Sequence, residues 1–431
     1  MLKAAVIGGG WAGCAAAVEL ASRGAAVTLF EAARTLGGRA RRIEAGGKTL
    51  DNGQHILLGA YSASLKLMRT VGVDFRRAVL PLPLQMCYPP GGMRFVAPRL
   101  PAPLHLAFAL LRATGLERAD KLAMARFSTT ARWMDWRLDN DCSVAELLVR
   151  FDQTPRLVNL MWRPLCLAAL NTPLETASAQ VFLAVLRDSL GARRKASDML
   201  LPRHDLSALF PDAAAQWLQQ HGGTIRLGAK ISRLEPCDGA WLLDGEGFDK
   251  VVLAASPVAS AALLAPLPEA APVVSQLSAF TYEPITTCYL QYQPGVALTQ
   301  PFFALEDAPV AGLWGQFVFD RGQLDAAQAG LLAVVVSASG DAAALPQPEL
   351  AQAVAAQLAQ AFGRPELANP GWTRVVTEKR ATYACTAGLS RPANATPLAG
   401  LVLAGDYTAG AYPATLEMAV RSGLTAARLL C

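Results

Sequence analysis

The sequence predicts an α/β fold in which a Rossmann-like dinucleotide-binding domain is built from discontinuous segments, with an α+β domain inserted between them. Three observations carry that prediction. The amino-terminal residues run apolar strand, G-x-G-x-x-G, helix, apolar strand and acid, the pattern of a βαβ unit that cradles a pyrophosphate. A second buried-strand pattern, residues 401–404, ends on Gly405-Asp406 and leads into a helix-like stretch. The 431 residues allow two or three domains at roughly 150 residues each, so a sizeable domain separates the two halves.

Taken in order, residues 2–7 are apolar apart from Lys3 and partly β-branched, as suits a strand buried on both faces. Gly8-Gly9-Gly10-Trp11-Ala12-Gly13 follows: Gly8 permits the tight turn, Gly10 lets backbone approach a pyrophosphate, and Gly13 lets the helix pack closely on the strand. Residues 14–23 are alanine-rich and helix-like, Gly24 supplies a C-terminal cap, and residues 26–30 form the second strand. The first amides of that helix face an anion. Glu31 stands where a carboxylate accepts hydrogen bonds from an adenosine ribose, and it would repel a ribose 2′-phosphate. Thr35-Leu36-Gly37-Gly38-Arg39-Ala40 adds a glycine pair that brings backbone close to a ligand, then a guanidinium suited to a phosphate.

Residues 225–227, 229–231 and 250–254 are strand-like pieces that rejoin the nucleotide domain. After Asp406 comes Tyr412-Pro413-Ala414-Thr415-Leu416-Glu417, in which Pro413 suits a first helical position and Glu417 lies near the positive end of the dipole. Residues 418–430 continue as an apolar-faced helix whose N-terminus would stabilise negative charge on a redox ring. No second G-x-G-x-x-G occurs, so a dedicated nicotinamide domain is not evident and electrons are expected from an external donor.

Composition narrows the function classes. Apolar residues make up 52% of the chain and charged residues 17%, against about 25% charged in average soluble proteins, which excludes a disordered or coiled-coil polypeptide. A net charge of +5 with no basic run excludes nucleic acid as the main partner. The eight cysteines show no C-x-x-C spacing and no histidine lies three to five residues from another, so no metal site is expected and the thiols read as buried or idle in a reducing cytosol. Glycines 8, 9, 10 and 13 and Glu19 break the amino-terminal apolar stretch where a secretion signal would be continuous, so a cytoplasmic location is expected. The uncharged run 251–268 carries Pro257, Pro266 and Pro268 and reads as strand, turn and short helix rather than a membrane span.

The set Gly8, Gly10, Gly13, Glu31, Gly38 and Arg39 resembles that of the flavin amine oxidase and phytoene desaturase superfamily, in which these elements bind FAD. The resemblance implies FAD as cofactor, closure of its site by the carboxy-terminal segment, Asp406 against the ribityl or pyrophosphate part, amides around Thr415 and Leu416 on the pyrimidine side, and Ile231 near the adenine. The expected FAD-binding domain comprises residues 1–74, 205–270 and 371–431, and the substrate-binding domain 75–204 and 271–370. The stretches 51–61, 161–165 and 170–173 are similar to the squalene-associated flavoproteins of bacterial hopanoid pathways, the hydroxysqualene dehydroxylases, which reduce hydroxysqualene to squalene with reduced FAD.

Such chemistry needs an acid for the allylic alcohol while a hydride quenches the developing cation in a dry pocket. A carboxylic acid raised toward neutrality by an apolar wall would serve, as would a histidine. His55, with Asp51 and Gln54 beside it in sequence, is the expected catalytic group, a structural histidine bonded to backbone being the equal alternative; Glu175 and Asp188 are further acids. Residues 75–120, where seven prolines punctuate apolar stretches such as 104–111 and arginines recur at the margins, read either as a membrane-contacting entrance or as a cap packed on the core. Residues 121–191 are helical and would wall a tunnel, and 286–292 and 331–337 are strand-like. Because lipid competes for an isoprenoid, peripheral attachment to the inner face of the cytoplasmic membrane through 75–120 is expected. The same scaffold suits a carotenoid-type desaturase or amine oxidase running in the oxidative direction, or an FAD-folded protein that escorts lipid without chemistry.

Overall fold

In the computed structural model, which describes residues 1–191 and 193–431, the chain lays down two strands of a first sheet, adds two more after a long insertion, leaves for a second sheet, and returns. Strands β1 (Lys3–Ile7), β2 (Ala26–Glu31), β3 (Thr224–Leu227) and β4 (Lys250–Leu253) belong to the first sheet. Strands β5 (Tyr282–Gln291), β6 (Phe302–Ala304), β7 (Phe317–Asp320), β8 (Leu331–Val336) and β9 (Trp372–Tyr383) form the second, and β10 (Leu401–Leu403) rejoins the first. The first sheet is parallel throughout, in the order β3-β2-β1-β4-β10. Residues 4–7 and 251–253 are wholly buried, as the middle of a sheet covered on both faces requires.

Helix α1 (Trp11–Ser22) follows β1; α2 (Leu104–Arg112) and α3 (Arg118–Trp133) lie in the inserted segment; α4 (Leu416–Leu430) follows β10. Two close approaches set α1 in place. A Cβ at Gly13 would stand 1.8 Å from the Gly8 carbonyl oxygen, and one at Gly423 in α4 would stand 2.2 Å from that of Ala12. Neither contact tolerates a side chain, so the first and last helices of the domain pack backbone against backbone.

The second sheet is antiparallel, in the order β6-β7-β8-β5-β9. Strand β8, Leu-Leu-Ala-Val-Val-Val, is buried along its whole length. Strand β9 pairs along β5 from Tyr282 opposite Tyr383 to Gln291 opposite Trp372. The expected boundary at residue 371 therefore moves: residues 372–383 belong to the second sheet, because a twelve-residue strand is paired nearly end to end there. The expected strand at 229–231 is irregular chain, with the Ala229 N–H donating to the Glu31 carbonyl oxygen at 2.9 Å as the backbone leaves β3. Likewise α4 starts at Leu416 rather than at Pro413, because Thr415 caps it, its Oγ1 accepting from the Met418 N–H at 3.2 Å.

Candidate active site

A cavity of about 1600 Å³ lies where the two sheets meet. That exceeds the roughly 300–1,000 Å³ usual for one small ligand, leaving room for a dinucleotide and a second large molecule. Its walls divide by chemistry. One part is made of Gly8, Gly10, Glu31, Gly38, Arg39, Ile231, Asp406, Thr415 and Leu416; the other is apolar, with Leu106, Leu110, Met124, Phe127, Trp162, Phe317 and Val335 among its residues.

The polar part fits a dinucleotide. Gly8 has φ +109° and a Cβ there would meet the Ala254 carbonyl oxygen at 2.5 Å, so the turn after β1 demands glycine. Gly10 ends the turn as the N-terminal cap of α1 and faces the cavity, its nearest would-be Cβ neighbour 3.8 Å away at Gly38 Cα. The Gly37 N–H donates to the Gly9 carbonyl oxygen at 2.8 Å and tethers the second glycine pair to the first. Glu31 is held at the rim by the Gly9 and Ala33 N–H groups, each donating to a different carboxylate oxygen at 2.7 Å. Each oxygen keeps a further lone pair for a ribose hydroxyl.

The chain's distant motifs meet at Arg39. Its Nη2 donates to both carboxylate oxygens of Asp406 at 2.7 Å, and its Nη1 to the Ala381 carbonyl oxygen at 2.6 Å. Arg39 thus neutralises Asp406, so that a pyrophosphate nearby would not face a bare carboxylate. One residue past Leu416, the Glu417 carboxylate is fully buried and accepts from the Ala63 N–H, the Ser64 N–H and hydroxyl, and Arg421 Nε, all between 2.7 and 3.0 Å. The carboxylate fixes the α4 N-terminus, which lines the cavity, against residues 63 and 64.

The expected catalytic trio is not brought together. His55 and Gln54 line the cavity, whereas Asp51 does not: its side chain is buried and accepts from the Leu206 N–H at 2.8 Å. Burial pushes the Asp51 carboxyl up to about 7, with Arg321 and the Leu206 bond pulling the other way. The expectation of Asp51 as the partner of His55 is corrected on that ground, since the His55 Nδ1 bonds instead to the Gly53 carbonyl oxygen at 2.9 Å. Burial holds the His55 imidazole below its usual pKa; the Gly53 bond opposes this and Arg39 reinforces it. The ring is therefore neutral at pH 7, with its proton on Nδ1 and a lone pair on Nε2. Gln54 is engaged at both ends, donating to Tyr289 Oη at 3.0 Å and accepting from Arg321 Nη1 at 3.2 Å, which makes it an anchor of this loop.

The two further acids also fall away from the cavity. Glu175 is exposed on the protein's rim. Asp188 accepts from Arg187 Nε and from the Tyr412 hydroxyl, both at 2.7 Å. Burial would raise its carboxyl, yet these bonds and the Arg187 and Arg421 charges hold it below the ordinary range, an anion rather than a donor. Sequence reasoning missed Tyr282. It lies on the cavity wall, and its buried hydroxyl has no hydrogen-bond partner within the protein, an orphan that a ligand would satisfy. Nothing in the sequence marks it, because a tyrosine opening a strand has no motif.

The apolar part opens where α2 and α3 reach the surface. Leu106 and Leu110 face inward, while Leu104, Phe108 and Leu111 are 50%, 40% and 70% exposed, and Leu122 and Trp133 of α3 are exposed as well. Leu111 both lines the cavity and meets solvent, so it stands at the mouth. Arg112, Arg118, Arg126 and Arg132 are exposed on the same two helices. Among the described residues no helix is long and apolar enough to cross a membrane.

Comparison with known proteins agrees with this geometry. The profile of the family described as flavin-containing amine oxidoreductase matches residues 11–431. The hydroxysqualene dehydroxylase of Rhodopseudomonas palustris is 29% identical, covering 99% of this chain and 97% of that protein. The hydroxysqualene dehydroxylase of Sinorhizobium fredii is 27% identical, covering 98% and 97%. The solved structure of cyclohexylamine oxidase from Brevibacterium oxydans superposes with a TM-score of 0.69 at 18% identity, covering 100% of this chain and 98% of that one, a likeness of fold. The protein is an oxidoreductase and FAD is its cofactor. The chain belongs to the family of flavin-containing amine oxidoreductases.

Proposed function

We propose that this FAD-dependent oxidoreductase reduces hydroxysqualene to squalene. The observation that carries the reading is the pairing of a dinucleotide cradle with a large apolar chamber whose mouth is itself apolar; the full-length likeness to two hydroxysqualene dehydroxylases supports it. Bound as reduced FAD, the cofactor supplies a hydride.

The protein's residues do the rest. Phe127, Trp162, Phe317 and their neighbours exclude water from an allylic cation. His55 Nε2 accepts the hydrogen of the substrate hydroxyl and orients it, and the unpartnered Tyr282 hydroxyl donates to an oxygen brought beside it. Electrons come from a separate donor. The exposed face of α2 and its cationic rim attach the mouth peripherally to the inner face of the cytoplasmic membrane, so that hydrocarbon passes from lipid to chamber without crossing water.

The experiment is anaerobic mixing of the reduced holoprotein with hydroxysqualene. One squalene formed per flavin reoxidised is the expected result. A flavin that stays reduced, in protein whose oxidised form introduces double bonds or oxidises amines, would reverse the direction; no redox change with any of these would leave a lipid escort.

A further inference from the structure

Cleaving a carbon–oxygen bond by reduction makes one water per turnover inside a chamber walled by hydrocarbon. A second cavity of about 170 Å³ lies against that chamber. Leu167 and Ser337 line both, so the partition is one side chain thick. Unlike the chamber, this pocket is joined to the surface by polar groups. The Ser337 N–H donates to Gln316 Oε1 at 2.6 Å, Gln316 Nε2 donates to Asp307 Oδ2 at 3.4 Å, and Arg163 Nη2 donates to that same oxygen at 2.9 Å. Gln316 and the Asp307 carboxylate are buried, whereas the Arg163 side chain is 38% exposed. Hydrogen bonds therefore run without a break from the chamber wall to solvent. Such a pocket is polar enough to hold water, and far larger than the roughly 10–15 Å³ that one water needs.

The partition is also conformationally constrained. Asn171 and Ala338 are non-glycine residues in the left-handed region, at φ 47° and 44°, and the Ala338 N–H donates to Asn171 Oδ1 at 2.6 Å. Residues held this way persist only where their surroundings over-determine them, and they gather at functional sites. Arg163 follows directly on a π-helical turn, Val158–Trp162, whose Met161 and Trp162 face the chamber.

The geometry points to this pocket as the chamber's water port, through which each product water leaves and each proton enters while hydrocarbon uses the apolar mouth. It rests on the reduction proposed above. There the carbon–oxygen bond breaks, a carbon–hydrogen bond forms with hydride from reduced flavin, the flavin is oxidised by two electrons, and the hydroxyl departs with one proton as water.

Two variants of the FAD-loaded enzyme test it, Asp341→Trp and Glu175→Trp, each of which plugs the pocket's rim from an exposed position outside the chamber. Flavin content and squalene binding, read from the perturbed flavin absorption, are expected to stay at wild-type values. The first turnover of prereduced enzyme stays within twofold, and steady-state turnover with excess dithionite falls at least tenfold. A crystal structure of the wild type is expected to hold ordered waters on Gln316 and Asp307 that continue past Ser337. Steady-state rates at the wild-type value in both folded variants overturn the proposal, as does a dry wild-type pocket. If the reduced wild type leaves hydroxysqualene untouched, the reduction reading falls, and hydration alone then decides the port: waters continuous with the chamber support it and a dry pocket overturns it.

Discussion

Replacing Leu104, Phe108 and Leu111 together by serine strips the outer face of α2 and leaves Leu106 and Leu110, which face the chamber, intact. With exposures of 50%, 40% and 70%, the three side chains amount to about one and a half fully exposed ones. At roughly 1.5–3 kcal/mol for burying one large apolar side chain, their insertion into lipid contributes about 3 kcal/mol. At about 1.4 kcal/mol per tenfold, the variant should bind neutral vesicles some hundredfold more weakly. Exposed Arg112, Arg118 and Arg126 each add about 1 kcal/mol near an anionic surface, an attraction that salt screens while the apolar part persists. Cosedimentation with phosphatidylcholine vesicles, with and without phosphatidylglycerol and at two salt concentrations, separates the two contributions. Unchanged flavin content controls for folding. Undiminished partitioning of the triple variant into neutral vesicles would refute the idea that α2 carries the protein to lipid.

The buried Asp51 makes a prediction about pH. Its carboxyl, pushed up to about 7, binds a proton more tightly in the folded protein than in the unfolded chain, so its stabilisation is full below pH 4 and is lost as pH rises through 7. A difference of about three pH units corresponds to roughly 4 kcal/mol; Asp51→Asn should flatten the dependence of urea midpoints between pH 4 and 8, and an unaltered slope would count against it. Asp406→Ala leaves Arg39 without its partner at the cradle, and FAD affinity, followed by flavin fluorescence, should fall by ten- to a hundredfold; an unchanged Kd would show the clasp to be dispensable. His55→Gln should lose at least tenfold in kcat/KM at unaltered FAD affinity. Because neutral His55 is the working form, wild-type kcat/KM should drop on acidification through a pKa below 6.5, and a rise on acidification would make His55 the proton donor instead.

The βαβ unit is legible in the sequence because backbone geometry leaves no choice at Gly8 and Gly13: one needs a positive φ and both need the space a Cβ would take. Arg39 and Asp406 are each visible as motif residues, but their mutual bond is a meeting of segments 367 positions apart that no local pattern encodes. The misreadings have the same origin. Asp51 next to His55 in sequence suggests a pair, yet the strand Lys48–Asp51 delivers its carboxylate to the backbone of Leu206. Residues 372–383 carry four charges and show no regular alternation, so only pairing decides which sheet receives them. Pro413 obeys a real preference for helix starts, and the Thr415 hydroxyl outcompetes it by satisfying an end amide. In 104–111 one helix covers the chamber with one face, as a cap does, and meets solvent with the other, a division that no local motif announces.

The placement of β10 beside β4 has a consequence for biogenesis. A ribosome delivers Gly8 and Glu31 early and Asp406 and Glu417 late, so throughout most of translation the nucleotide domain is a half-finished sheet with β4 as an open edge, a surface that invites pairing with other chains. Cofactor loading must then be a late event, coincident with docking of β10 and α4. Flavin supply during expression should accordingly govern the yield of usable protein more than the speed of synthesis does. An early stop codon that removed only α4 would also act as a loading defect, because residues 63 and 64 would lose the carboxylate that holds them.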